Sequence, residues 1–356
     1  MTIEPATIEI ALISHTNAGK TTLARTLLGR DVGEVRDAPH VTDVAESHTL
    51  LTSAEGDVLR LTDTPGFGDS AKLVQRLRVA DNPLGWLLRE VWDRYSDRPF
   101  WCSQQAVRAA RDSAEVVLYL VNAAEDPHDA GYVAFEMQVL RWIAKPVIVL
   151  LNQLGPPRPS TVEAGEVRRW AEHLSRYPWV RDTLAFDAFA RCWVQEHVLL
   201  DRIGTVLPVE RREVFGRLAD AWRARNREAF ERSMQVLARQ LAATAADGER
   251  VAQPGAGAAA RAWLTTLLGT RQRGDAATDA AMGRLAQRLD GEVRRATDEL
   301  IALHGLSGRA GDEILQRMGA EYAVDKAADP AKASLIGAAV SGALGGLAAD
   351  LAAGGL

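Results

Sequence analysis

Only two cysteines, Cys102 and Cys192, occur in the 356 residues. That is too few for a CxxC metal or redox pair or for a disulfide framework, and a reducing cytosol is the expected setting. The seven histidines form no HExxH pattern and no GxSxG appears, so the common zinc-hydrolase and serine-hydrolase signatures are missing. An excess of either charge is also missing. With 42 basic against 47 acidic residues and a net charge of -5, there is no overall field to draw nucleic acid, which is not indicated as a partner. The opening stretch MTIEPATIEIALISH has no basic leader ahead of a long apolar core, so no secretory signal is read. Long hydrophobic runs are scarce as well. The uncharged segment Ala333 to Ala349 is dominated by alanine and glycine and closed by Asp350, and it falls slightly short of the roughly 20 apolar residues a membrane span needs.

What is present is ordinary globular material, 47% hydrophobic and 25% charged, in a length that suits about two domains. Apolar β-prone runs stand at Ile8 to Ile13, Val58 to Leu61, Val116 to Val121, Val147 to Leu151 and Thr183 to Phe186. Several are continuously apolar, as in a parallel sheet covered on both faces. Helical patterns lie between them, at Leu23, Leu27 and Leu28, at Tyr132 to Ile143 and at Val162 to Leu174. The alternation predicts a doubly wound, mostly parallel α/β domain over 1–205, with an aromatic-rich helical insertion at about 76–112 carrying Trp86, Trp92, Tyr95, Phe100 and Trp101.

Beyond Pro208 the strand signals stop. Phe215, Leu218, Trp222, Phe230, Met234, Leu237 and Leu241 recur at helical steps, and so do Met282, Leu285, Leu289, Val293, Ala296, Leu300 and Leu303 after a Gly/Ala-rich break near Gln253 to Ala260. An all-helical domain over 206–356 is expected, with a Gly/Ala-rich end at 331–356.

The chemistry concentrates near the N-terminus. Ser14-His15-Thr16-Asn17-Ala18-Gly19-Lys20-Thr21-Thr22 is a GxxxxGK[ST] loop with serine in place of its first glycine, set between a strand and a helix. In that context backbone N–H groups encircle phosphate oxygens and the helix dipole favours their charge. Lys20 would reach the β- and γ-phosphates, and the Thr21 hydroxyl would ligate Mg2+. Asp63-Thr64-Pro65-Gly66 follows the Val58 to Leu61 run, placing Asp63 to hold the magnesium through water and the Gly66 N–H to meet the γ-phosphate.

With SHTNAGKTT, APHVTD and DTPGFGD in place, residues 5–200 resemble the Era/TrmE-like branch of the translation-factor-related P-loop GTPases. The segment from Phe186 to His197 resembles more narrowly a bacterial GTPase family with a C-terminal helical domain of unassigned function. The resemblance makes Thr42 the switch threonine that closes over magnesium, with Thr49 as the alternative. It makes Asn17 the asparagine that helps hold K+ in potassium-activated members. Two departures stand out. Phe67 occupies the place where Ras-like proteins put the water-orienting glutamine. Asn152-Gln153-Leu154-Gly155 replaces Asn-Lys-x-Asp, leaving Asn152 for the base site and Asp187 as a substitute carboxylate.

The resemblance therefore implies a GTP/GDP-binding, slow GTPase switch with Lys20, Thr42 and Gly66 in the hydrolytic site. Hydrolysis would be helped by K+, another side chain or a partner. The alternative is a membrane-associated, dynamin-like or scaffold protein whose self-association is set by nucleotide. ATP also stays open as the ligand. Expected partners are an unidentified protein effector and a second copy through either domain. The C-terminal segment either packs into the bundle or makes reversible contact with a membrane, which would put a cytoplasmic protein at the periphery of the inner membrane.

Overall fold

The computed structural model describes residues 4–16, 18–29, 45–68, 70–78, 98–155, 158–188, 193–250 and 276–305. Six strands form one sheet: β1 (Thr7–Ser14), β2 (Glu46–Thr52), β3 (Val58–Asp63), β4 (Val116–Asn122), β5 (Val147–Asn152) and β6 (Val180–Ala185). Their order is β2-β3-β1-β4-β5-β6, with β2 antiparallel to β3 and every other pair parallel. The expected doubly wound α/β architecture is observed. All five foreseen strands are present, and β2 is the additional one.

Period-two alternation sorts the side chains of the central strands onto two faces. Ala11, Ile13, Val117, Tyr119, Val121, Val149 and Leu151 pack on one side. Covering them are α2 (Ser70–Leu77), α3 (Arg98–Asp112), α4 (Gly131–Ile143) and α5 (Ser160–Leu174), through residues such as Leu73, Ala106, Met137 and Trp170. Ile10, Leu12, Leu59, Leu61, Leu118, Leu120, Ile148 and Leu150 face the other way. That side is covered by α1 (Lys20–Leu28), α6 (Trp193–Val206) and the start of α7 (Val209–Ala246). Each fully buried aliphatic side chain contributes about 1.5–3 kcal/mol, so this two-faced sheet supplies most of the drive to fold.

Within the expected insertion, α3 is a layer helix whose Phe100, Cys102, Ala106, Val107 and Ala110 are buried. Trp86, Trp92 and Tyr95 lie outside the described residues.

The chain parts into two compact units inside α7, between Glu228 and Ala229. The expected division at 205/206 falls in the last turn of α6, ahead of α7. However, Phe215, Leu218 and Trp222 of α7 belong to the core of the sheet-containing unit. Three hydrogen bonds pin this part of α7 there. Trp222 Nε1 and Asn226 Nδ2 donate to Glu196 Oε2 at 2.8 and 2.9 Å, and Arg217 Nε donates to the buried Asp57 Oδ2 at 2.7 Å.

In the second unit, α7 meets α8 (Ala276–Leu303) through Val236, Leu237, Ala296 and Leu300. The buried line on this part of α7 is Ser233, Val236 and Gln240, one residue earlier than the apolar stripe Met234, Leu237 and Leu241. Ser233 Oγ lies 3.1 Å from His304 Nε2, and Leu241 is 44% exposed. No helix among the described residues is long and apolar enough to cross a membrane. The segment 331–356 lies outside the described residues.

Candidate functional site

In an open α/β sheet, ligands sit beyond the carboxyl ends of the strands where the strand order reverses. Here that point is β1, whose neighbours are β3 on one side and β4 on the other. The carboxyl ends of β1, β3 and β5 deliver Ser14, Asp63 and Asn152 to one rim.

Ser14 takes the place of the first motif glycine without backbone strain. It is the last residue of β1, paired with Leu120, and does not have a positive φ. Its buried hydroxyl is used locally, donating to the His15 carbonyl and accepting from Lys20 Nζ at 3.0 Å. Glycine is required at the other end of the loop. Gly19 has φ +85°, and a Cβ there would stand 2.5 Å from Asn152 Nδ2. After it α1 begins at Lys20 with Thr21 and Thr22 in its first turn, and the helix ends on Gly29 at φ +63°.

Lys20 is buried, and desolvation pulls its ammonium below the usual lysine range, against the attraction of Asp63 and Glu136. Asp63 shows the converse effect. Burial raises its carboxyl above the ordinary value, while Lys20 and the Thr21 hydrogen bond hold it down. Thr21 Oγ1 donates to Asp63 Oδ2 at 2.7 Å, and Asp63 Oδ1 is buried with no hydrogen-bond partner.

A hydroxyl beside a carboxylate with an unsatisfied oxygen is a hard oxygen donor set, and it fits Mg2+. Among the described residues no cluster of three or more His, Cys, Asp or Glu could cage a metal. Magnesium commonly relies on one or two protein oxygens and the substrate's phosphates.

Gly66 lies against the loop. A Cβ on it would be 3.0 Å from Thr16 Cα, so a side chain here would have to push the loop back by a few tenths of an ångström. Next to it the Phe67 N–H donates to the Ser14 carbonyl at 2.9 Å, and its fully buried ring packs with Ile13 and Leu73. Phe67 therefore ties the segment after β3 to the end of β1 and presents nothing to a water molecule.

Asn152 is a brace. Nδ2 donates to the Ala18 carbonyl at 2.8 Å and Oδ1 accepts from the Ala188 N–H at 2.7 Å. Asp187 Oδ2 accepts the Leu154 N–H at 2.9 Å, which fixes the turn containing Gln153 and Gly155, both at positive φ. A Cβ at Gly155 would meet nothing within 4 Å, so space is open where the family motif has its aspartate.

Ser14, Ala18, Gly19, Lys20, Thr21, Thr22, Asp63, Gly66, Asn152 and Asp187 thus share one rim. Asn17 and Thr42 lie outside the described residues. Thr49 sits within β2 opposite Arg60, three residues along the strand from the Glu46–Asp63 pair at the rim.

Sequence reasoning missed a second layer. Glu136, fully buried on α4, accepts hydrogen bonds from His15 Nδ1, Ser70 Oγ and Tyr119 OH, each at 2.7 Å. His15 also stacks on Tyr132 with ring centroids 4.4 Å apart. The available signal was an acid flanked on the buried face of α4 by Val133, Met137 and Leu140.

Residues 9–153 match the family model described as 50S ribosome-binding GTPase. The chain is similar to GTPase Der of Myxococcus xanthus, 27% identical over 150 residues that cover 41% of this chain and 26% of the relative. It is also similar to tRNA modification GTPase MnmE of Picosynechococcus sp., 25% identical over 157 residues that cover 44% and 28%. The chain thus spans little more than a quarter of the length of these curated relatives. Among solved structures, Era of Aquifex aeolicus bound to GDP·AlF4− aligns over 57% of each chain at 19% identity with a TM-score of 0.42.

Proposed function

We propose that this chain, whose residues 9–153 form a P-loop GTPase domain of the Era/TrmE-like class, binds GTP with magnesium and hydrolyses it slowly to GDP and phosphate as a nucleotide-dependent switch. The observation that carries the reading is the buried set Lys20, Thr21 and Asp63. It holds one desolvated ammonium and one carboxylate oxygen without a partner, beside a loop closed by Gly19. A polyphosphate would add negative charge beside the desolvated Lys20 ammonium, and Asp63 Oδ1 would accept from a cation's water shell. When bound, magnesium would neutralise charge on the β- and γ-phosphates.

In the hydrolysis, water attacks the γ-phosphorus, the bond to the β–γ bridging oxygen breaks, and GDP leaves. Lys20 stabilises charge on the transferred group, the Gly66 N–H meets a γ-oxygen, and Thr42 closes over the site. No side chain at 67 orients the water. Turnover is accordingly slow, below about 0.01 s−1 without help. K+ held beside Asn17 is the proposed source of additional positive charge. A phosphate-release assay in matched potassium and sodium chloride tests this. Faster release in potassium, lost in Asn17→Ala, supports the reading, and equal rates remove potassium from it.

One observation favours ATP as a second reading. Asp187, the remaining carboxylate near the base loop, already accepts the Leu154 N–H, and Gly155 offers no carboxylate for guanine. The same assay with ATP separates the two. An effector, self-association and membrane contact through 331–356 stay part of the proposal. Deleting 331–356 should leave nucleotide affinity unchanged and reduce liposome flotation or the oligomer mass seen by light scattering.

A further inference from the structure

One carboxylate oxygen holds the phosphate loop and the segment after β3 together. His15 Nδ1 and Ser70 Oγ both lie 2.7 Å from Glu136 Oε1, while Tyr119 OH secures Oε2 at the same distance. His15 is the second residue of the phosphate loop, and Ser70 is the first residue of α2, four residues after Gly66. Glu136 itself is wholly inaccessible. The His15 side chain that meets it is 31% exposed.

Burying a carboxylate is expensive unless each oxygen is hydrogen-bonded, and an apolar residue would suit this face of α4 better. Here the three donors come from three different elements, so the carboxylate works as a joint between them. A cavity of about 450 Å3 opens beside the joint, bordered by His15, Thr16, Ser70, Tyr132 and Phe135. This leaves room for Ser70 to move away from Glu136 without unpacking the sheet.

We propose that Glu136 is a positioning residue for hydrolysis. Its Oε1 sets the start of α2, and with it Gly66, in register with the phosphate loop through the shared His15 and Ser70 hydrogen bonds. The proposal rests on the GTPase reading above. Since Ser70 touches α4 and not the phosphate rim, its hydroxyl governs the rate of the chemical step and not ground-state nucleotide affinity. Since His15 and Ser70 share one acceptor, their effects are not independent.

The test is single-turnover GTP hydrolysis and GDP titration on the full chain and on Ser70→Ala, His15→Ala, His15→Asn and the double variant Ser70→Ala/His15→Ala. For Ser70→Ala the hydrolysis rate should fall about 10-fold or more, the loss expected for one hydrogen bond to a charged acceptor, while GDP affinity stays within about 2-fold. His15→Asn, whose amide nitrogen replaces Nδ1, should recover most of the rate lost in His15→Ala. The double variant should lose less than the product of the single losses. Retained GDP affinity also shows that each variant is folded. Wild-type rates in Ser70→Ala and His15→Ala, rate and affinity falling in equal proportion, or no recovery in His15→Asn would each overturn the role of Glu136. If the wild-type chain binds no GTP or GDP, the GTPase reading fails instead.

Discussion

Asn152 Nδ2 donates to the carbonyl oxygen of Ala18 across 2.8 Å, joining the end of β5 to the phosphate loop, and its Oδ1 takes the Ala188 N–H. The side chain is fully buried, so both bonds are shielded from water. Asn152→Ala would orphan a carbonyl and an N–H together, and a loss of about 2 kcal/mol in unfolding free energy is expected from denaturant titration. Gly19→Ala attacks the same contact from the other side, because its Cβ would stand 2.5 Å from Nδ2 in a backbone at φ +85°. The hydrolysis rate should drop roughly 100-fold, the order expected when a positioning loop is displaced by about 1 Å.

The base end of the site predicts a gain. Gly155 has φ +76° and open space around its missing Cβ. Aspartate tolerates that backbone better than most residues, and its carboxylate would offer guanine a bidentate acceptor. Gly155→Asp should therefore raise the GTP-to-ATP affinity ratio by about 10-fold or more over wild type, read by competition titration. An unchanged ratio would place the base elsewhere.

Acid should weaken the seam between α7 and the sheet. Asp57 is buried, and Arg217, chiefly by its hydrogen bond, holds the carboxyl below the ordinary value of 3.8, with help from the Ala6 N–H. A carboxylate lowered in the folded state adds stability above its unfolded pKa and loses it as pH falls through the folded one. The stability difference between wild type and Asp57→Asn should be full above about pH 5 and shrink steadily as pH falls below 3.8. A difference that grows in acid would contradict this assignment.

Trp222 anchors α7 with its ring buried at 1% exposure and its Nε1 bonded to Glu196. Trp222→Ala should lower unfolding free energy by roughly 3–5 kcal/mol in denaturant titration. Since the residue belongs to the core of the sheet unit, the loss should appear in that unit's own transition.

These contacts show which parts of the molecule were legible in sequence. The strands β4 and β5 announced themselves because burial on both faces demands unbroken apolar runs, while β1, β3 and β6 showed as β-prone runs in strands that carry Glu9, Arg60 and Asp182. β2 did not, because in ESHTLLT only Leu50 is buried and the edge strand is held by backbone pairing with β3. The rim residues were legible because phosphate chemistry demands Gly19, Lys20, Thr21 and Asp63 at set spacings. The tolerance of serine at 14 was not, since it depends on that residue ending a strand with ordinary backbone. Glu136 escaped because a single acid in GYVAFEMQVLRWI reads as one more polar helix position. Only the fold brings His15, Ser70 and Tyr119 to it, from 121, 66 and 17 residues away. Along α7 the apolar stripe marks the buried line at Phe215, Leu218 and Trp222, but farther on that line runs through Ser233, Val236 and Gln240, where two polar side chains hide it from an apolar pattern.

Magnesium linkage follows from the orphaned oxygen of Asp63. The melting temperature should rise with GDP, and rise further with GDP plus magnesium. Asp63→Asn should retain the first increment and lose the second. A full magnesium increment in that variant would remove Asp63 from the cation site.

The most direct test of the central claim is a calorimetric titration of the purified chain with GTP, GDP and ATP in magnesium, alongside Lys20→Ala. The account predicts saturable binding of GTP and GDP, tighter than ATP, and no measurable binding by Lys20→Ala. Wild-type affinity in Lys20→Ala, or no binding of any of the three nucleotides by the wild-type chain, would contradict it.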